Sequence, residues 1–244
     1  MKNLFKTLIL SMSISISFCM ITDIEKYKNG NIKKIKYYSN VNNQIKLVGV
    51  EKYYENGILE EKGQYENGKM IGNWSYYYSN GQVKGTGDYH FGDGSILGSL
   101  GIPRNGRHGL WKFWYENGQQ QDQLMYLKGQ KNGQSINWYE NGQTRQKGNW
   151  KNGQPYGLWV DYYESGEIRI KRNHKVNELS EISVFHENGT IYIEGFFYQG
   201  IFPQYSFEPE GYKQMGSWIF YGNDGSVETK EIYDDGKLIE TIEY

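Results

Sequence analysis

Tyr65-Glu66-Asn67-Gly68-Lys69-Met70-Ile71-Gly72-Asn73-Trp74-Ser75-Tyr76-Tyr77-Tyr78-Ser79-Asn80-Gly81 decides the fold of this chain. Two Asn-Gly pairs bracket a run rich in aromatic residues. Asn and Gly accept positive φ at low cost, so each pair closes a tight turn. An aromatic run between two such turns reads as a strand, and Asn-Gly beside it is the strongest short-range sign of a hairpin. Moving outward, the tag recurs at Tyr54 to Gly57, Tyr115 to Gly118 and Tyr139 to Gly142, with variants ending at Gly153, Gly166, Gly189, Gly225 and Gly236. Gly57 to Gly68 is 11 residues and Gly68 to Gly81 is 13; Gly118, Gly129, Gly142, Gly153 and Gly166 repeat 11, 13, 11, 13. The repeating unit is therefore 24 residues, one short strand and one long one.

Two columns fix the register. Seven residues before each long-segment glycine stand Val50, Trp74, Trp111, Ser135, Trp159, Ile182 and Trp218. Four before it stand Tyr53, Tyr77, Trp114, Trp138, Tyr162, Phe185 and Tyr221, every one aromatic. The columns lie three positions apart, so they face opposite sides of the strand, and each face is expected to carry its own row of rings. Tyr65, Tyr89, Tyr126, Trp150, His174, Phe197 and Tyr233 precede the short turns by three and are expected to fill the gaps. Glycine every few residues and no sustained 3.6-residue period argue against helices. The predicted fold is all-β: tandem hairpins forming an elongated, twisted antiparallel meander whose units touch mainly their neighbours. A two-sheet sandwich of the same strands is the competing architecture.

Composition agrees. The chain has 244 residues, 31 Gly, 23 Tyr and 16% aromatic residues, with only 37% hydrophobic residues in all. Rings must then supply much of the burial. The formal net charge is −1, so a basic field for nucleic acid is absent and no nucleic-acid partner is expected.

Residues 1–19 read differently from the rest. Lys2 and Lys6 precede an uncharged, Ser-rich apolar run from Leu8 to Met20, and polar sequence starts at Asp23. This is the order of an export signal, too short for a confident membrane span. The expected location is outside the cytoplasm: periplasmic, outer-membrane-associated or secreted. Cys19, the single cysteine, ends this stretch and is a candidate lipidation site. Ile16 and Phe18 depart from the residues that usually precede a lipidated cysteine; cleavage after Ser15-Ile16-Ser17 is the alternative. Residues 20–244 form the repeat domain.

Tyr65-Glu66-Asn67-Gly68 followed by Gly72-Asn73-Trp74 and Tyr76 to Tyr78, and Gly157-Leu158-Trp159 with Tyr162-Tyr163, resemble the bacterial variant of the MORN repeat. The resemblance spans most of Gly49 to Tyr244. Chains of this kind often carry the label of YwqK-type antitoxins. The resemblance implies protein scaffolding and, less firmly, contact with membrane lipids; it brings no catalytic residues. Ser135 in place of Trp, Asn177 in place of a turn Gly and a segment one residue short before Gly189 depart from the pattern.

The period breaks twice, near residues 93–105 and 201–213. Gly109 follows Gly92 by 17 residues and Gly216 follows Gly200 by 16, where Gly72 follows Gly68 by four. Both inserts occupy the same kind of turn, and repeat proteins often place insertions on the binding face. The candidate partner-binding residues are Arg104, Arg107 and His108 in the first insert and Phe202, Tyr205 and Phe207 in the second. Neutral loop growth is the alternative, since loop closure costs little.

No catalytic constellation emerges. Asp88, His90, Asp93 and Ser95 have neither nucleophile-elbow context nor metal-ligand spacing, and His174 and His186 sit in ring columns. No catalytic residue, cofactor or metal is expected. The expected function is a non-catalytic scaffold for protein–protein interaction at the cell envelope, with another protein as partner. A glycan-binding or cell-wall module and an antitoxin-like, partner-neutralising protein are the alternatives. Any membrane contact would come through a lipid anchor on Cys19.

Overall fold

A computed structural model describes residues 20–175, 178–199 and 212–244. Among these, every regular element is a β-strand. The chain forms two compact units. The first holds β1 (Met20–Lys26), β2 (Ile32–Val41), β3 (Gln44–Tyr53), β4 (Leu59–Glu66), β5 (Lys69–Tyr77), β6 (Val83–Gly92) and β7 (Arg107–Trp114). The residues of β8 (Gln120–Leu127) are divided between the units. The second holds β9 (Gln130–Trp138), β10 (Thr144–Lys151), β11 (Gln154–Tyr162), β12 (Ile168–His174), β13 (Leu179–Phe185), β14 (Ile191–Gln199), β15 (Tyr212–Tyr221), β16 (Val227–Asp234) and β17 (Lys237–Glu243). Within each unit every strand pairs antiparallel with the next. The fold is the hairpin meander that the turns predict.

The Tyr-x-Asn-Gly tag builds the long turns atom by atom. Tyr54 N–H donates to Ile58 O at 2.8 Å, and Gly57 N–H returns to Tyr54 O at 2.9 Å. Asn56 Oδ1 accepts from Ile58 N–H at 3.0 Å, closing an Asx turn. The tag also ties successive turns together. Tyr54 OH donates to Tyr77 O at 2.8 Å and Asn56 Nδ2 to Ser79 O at 2.9 Å. The second unit repeats this with Tyr139 OH to Tyr162 O, Tyr163 OH to Phe185 O and Asn141 Nδ2 to Glu164 O. The short turns are different: Asn67 and Gly68 both have positive φ, 49° and 77°, as a two-residue type I′ hairpin requires.

The tryptophan column packs on glycines that lie inside strands. Val50 pairs with Gly63 and Trp74 with Gly87 across the first unit. A Cβ on Gly63 would meet the Trp74 ring at 2.1 Å, and one on Gly87 would meet Trp111 at 2.3 Å. In the second unit Trp159 lies over Gly148 and Trp218 over Gly195 at 2.1 and 2.3 Å by the same measure. Each indole N–H then donates to the carbonyl of the residue after its glycine: Trp74 to Gln64, Trp111 to Asp88, Trp159 to Asn149 and Trp218 to Phe196, at 2.9–3.3 Å. Burying the indole therefore leaves no orphaned donor. Trp74 is 1% exposed and Trp111 0%.

The gap-filling rings do what their spacing predicts. Tyr65, Trp74, Tyr89 and Trp111 form a continuous edge-to-face series with centroids 4.9–6.0 Å apart. Trp150, Trp159, His174 and Phe197 form another at 5.0–6.2 Å. This arrangement sets the positive ring edge against the negative ring face.

Each face carries its row of rings, as expected, but the two rows are not equally buried. Trp74, Tyr76, Tyr89, Trp111 and Phe113 are buried on the tryptophan face, whereas Tyr53, Tyr77 and Trp114 on the opposite face remain half-buried. In the second unit the tryptophan face turns polar where Ser135 replaces the indole. Asp161, 4% exposed, accepts from Gln146 Nε2 at 2.5 Å and Arg172 Nη1 at 2.6 Å, and Asn137 Nδ2 bonds Asp122 Oδ1. A buried carboxylate is tolerated when its oxygens are paired in this way.

The first insert supplies further cover. Ile102 is 1% exposed, and a Cβ on Gly85 would stand 2.7 Å from its Cδ1. Tyr89 OH donates to Pro103 O at 2.5 Å. The insert thus folds back onto the tryptophan face and seals one stretch of it.

Candidate interaction surface

Strand alternation separates the residues that the first insert offers. Arg107 and His108 are consecutive in β7, so they face opposite sides. Arg107 is 4% exposed on the tryptophan face. Its Nε donates to Pro103 O at 2.9 Å, Nη2 to Ile102 O at 2.9 Å and Nη1 to Tyr126 OH at 3.1 Å. Its guanidinium carbon lies 4.6, 4.9 and 5.4 Å from the Trp111, Phe113 and Tyr126 ring centres. A guanidinium stacked on rings and bonded to carbonyls is an internal strut, unavailable to a partner. Arg107 is therefore corrected from a partner-binding to a structural residue. Arg104 is half-buried in the loop, its N–H donating to Ile96 O at 2.8 Å. His108 is exposed on the opposite face, paired across the ladder with Asp88 and with its ring 5.7 Å from that of His90. The three residues do not converge on one surface.

Phe202, Tyr205, Phe207 and Cys19 lie outside the described residues, so the shared-loop site stays an expectation. Asp93, Ser95 and Asn105 close the base of the first insert: Asp93 Oδ1 accepts from Ser95 Oγ at 2.5 Å and from Ser95 N–H at 2.9 Å, and Oδ2 from Asn105 Nδ2 at 2.7 Å. These bonds hold the Asp93 carboxyl down at about 2. No group of three or more His, Cys, Asp or Glu suited to a metal occurs among the described residues.

A surface that the sequence did not single out lies on the opposite face of the second unit. Leu158 pairs with Asn173, Asn173 with Glu181, Glu181 with Phe196 and Phe196 with Met215. One row over, Leu179 pairs with Tyr198 and Tyr198 with Lys213. Leu158 is 55% exposed, Tyr156 47%, Leu179 44%, and Phe196 and Tyr198 41% each. These apolar residues are interleaved with Asn173, Glu181 and Lys213. Lys151 Nζ sits 5.2 Å over the Tyr156 ring.

Toward the long turns of the same face the aromatic column is buttressed by charge. Lys147 Nζ lies 5.3 Å over Tyr162 and Lys171 Nζ 5.1 Å over Phe185. Tyr221 OH donates to Glu194 Oε2 at 3.1 Å; partial burial and this carboxylate raise the phenol's pKa, so it stays a neutral donor. Rigid rings with two χ angles, mixed with polar groups, give contact area at low entropic cost. The signal in the sequence was weak, because Leu158, Leu179, Phe196 and Tyr198 belong to neither ring column.

A family model described as MORN repeat variant matches residues 49–67, 70–90, 107–127, 131–152 and 155–175. Each match covers a long strand, or the end of one, and the short strand that follows it. No curated protein sequence matches the chain significantly. Among solved structures, a crystal structure of TcdB2-TccC3 overlaps 88% of this chain and 15% of its own at 12% identity and a TM-score of 0.24. A crystal structure of TcdB2-TccC3 without its hypervariable C-terminal region overlaps 90% of this chain and 13% of its own at 12% identity and a TM-score of 0.23. The chain thus spans a small fraction of the length of those proteins.

Proposed function

Because the chain belongs to the MORN-repeat variant family, we propose that it is a non-catalytic scaffold that binds another protein through the opposite face of its second unit. The observation that carries this reading is the cluster of Tyr156, Leu158, Leu179, Phe196 and Tyr198, each more than two-fifths exposed, on a sheet that buries its other face. Exposed large apolar groups gathered on one face and rimmed by polar groups mark interaction sites. The polar residues among them match the composition of non-obligate interfaces. An envelope location is part of the proposal and rests on the charged, apolar, polar order of the amino-terminal sequence.

The test uses the full chain immobilised as bait on envelope extract, beside a Leu158→Arg/Phe196→Arg double variant. A specific protein should be captured by the first and lost by the second, while urea midpoints of the two baits agree. Equal capture by both would remove this face from the proposal. Fractionation of cells carrying the tagged full chain tests location: recovery in the cytoplasm alone would overturn the envelope reading.

A further inference from the structure

We propose that the first unit carries a binding site for a single neutral pyranose ring, on the face opposite its tryptophans. This inference is independent of the interaction surface on the second unit. An open depression of about 340 Å³ lies there, bordered chiefly by Tyr37, Gly49, Glu51, Lys62, Gln64 and Asn73. Ligand sites range over about 300–1,000 Å³, so this one suits a single ring rather than a polymer segment.

Gly49 is the floor, and its presence needs a reason. Gly63, Gly87, Gly148 and Gly195 are required by the indoles that cover them, and the turn glycines by positive φ. Gly49 has neither cause. A Cβ there would meet Gly63 O and Tyr37 Cδ2 at 3.5 Å, an ordinary contact. Alanine would fit, but its methyl would project into the depression. Glycine keeps the floor open beside an aromatic wall.

That wall is held in place. The ladder between β2 and β3 slips at Tyr37/Tyr38, where Tyr37 pairs with Gly49 and Tyr38 with Leu47. Such bulges re-aim side chains and recur beside binding sites. Tyr37 OH donates to Glu51 Oε2 at 3.2 Å, and Tyr53 OH to the same oxygen at 2.6 Å. The ring and the carboxylate therefore hold one another. Gln64 pairs with Gly49 across β3 and β4, and Lys62 with Glu51. Lys62, Gln64 and Asn73 are exposed at the rim.

The chemistry selects the ligand class. One carboxylate and one ammonium cancel, so the site offers no net charge to an ion. Two amides, the carboxylate and the ammonium supply both donors and acceptors around a small space. A phenol ring offers an apolar platform. A pyranose ring presents complementary surfaces: an apolar C–H face for Tyr37, and ring hydroxyls that donate and accept in the plane of the rim.

The full chain should be titrated with glucose, galactose, mannose, N-acetylglucosamine and, as a charged control, glucuronate, read by saturation-transfer NMR and calorimetry. At least one neutral sugar should bind. Tyr37→Ala and Gly49→Ala should each weaken it by about tenfold or more, the loss of one well-placed contact. Tyr37→Phe, which keeps the platform, should weaken it less. Gly49→Ala should leave the urea midpoint near its starting value, which separates a lost site from a lost fold. Binding of none of the neutral sugars, binding of glucuronate alone, or binding unchanged in both alanine variants would overturn the proposal.

Discussion

Gly148 and Trp159 occupy one space: a Cβ on Gly148 would lie 2.1 Å from the indole, whose N–H reaches past it to Asn149 O at 3.0 Å. The same pairing joins Gly63 to Trp74, Gly87 to Trp111 and Gly195 to Trp218. The row at Ser135 inverts the rule. Eleven residues before Ser135, where Gly63 precedes Trp74 and Gly148 precedes Trp159, stands Leu124. Leu124 and Ser135 are both buried. Large and small have exchanged places in the repeat, as expected if the summed volume of each pair is what packing constrains. Trp111→Ala should therefore cost about 3–5 kcal/mol, by the usual loss for a buried large ring, measured from urea midpoints.

The turn ladder makes graded predictions. Tyr54→Phe removes only the hydroxyl that bonds Tyr77 O and should cost about 0.5–1.5 kcal/mol. Asn56→Ala removes both the Asx acceptor and the amide donor to Ser79 O. Asn56→Asp keeps the acceptor and should fall between the native chain and Asn56→Ala in urea midpoint. Asp224 already fills this role, accepting from Ser226 N–H at 2.9 Å and Ser226 Oγ at 2.6 Å. Equal losses for Asn56→Asp and Asn56→Ala would show that the acceptor contributes nothing.

Arg107 anchors the first insert, so Arg107→Lys should not rescue it. A lysine lacks the fork that reaches Ile102 O and Pro103 O together. Each charge-assisted bond contributes about 1.5–3 kcal/mol. Arg107→Lys should lower the melting temperature and expose residues 96–101 to limited proteolysis. A native cleavage pattern in Arg107→Lys would contradict the strut.

Two carboxylates give opposite pH dependences. Burial pushes Glu61 above its ordinary 4.5. The fold then prefers the protonated acid, so its contribution is fullest below that value and is lost as pH rises through the raised native pKa. Glu61→Gln should flatten this decline. Asp93, held at about 2 against an ordinary 3.8, behaves in reverse. Its contribution is present above 3.8 and disappears as pH falls through about 2, so Asp93→Asn should flatten the acid side. Urea midpoints across this range check both, and profiles unchanged by the substitutions would exclude both assignments.

Much of the fold could be read from the chain alone. Asn-Gly spacing gave the hairpins, and column counting put Tyr89 between Trp74 and Trp111, where it stands. The in-strand glycines were missed although they also keep a fixed place, Gly63 and Gly148 each five residues before a short-turn glycine. In a chain so rich in turn glycine they looked like more of the same; their purpose appears only when the neighbouring strand is laid beside them. Unequal burial of the faces was illegible for a related reason, since both columns are aromatic and alternation treats the faces alike. Arg107 was misplaced because a cation in an insert reads as solvated, and only the folded insert brings Ile102 O and Pro103 O to it. The exposed cluster around Leu158 and Phe196 is assembled from three strands, β11, β13 and β14, whose exposed residues share no period.

The most direct test of the packing is Gly148→Ala in two backgrounds, native and Trp159→Ser, by urea denaturation. Beneath the native indole the added methyl should cost about 1–3 kcal/mol, the usual penalty for overpacking. With the indole gone it should be neutral or stabilising by up to about 1 kcal/mol, because alanine loses less backbone freedom on folding. The same cost in both backgrounds would mean that glycine is needed there for its backbone and that the indole does not define the row.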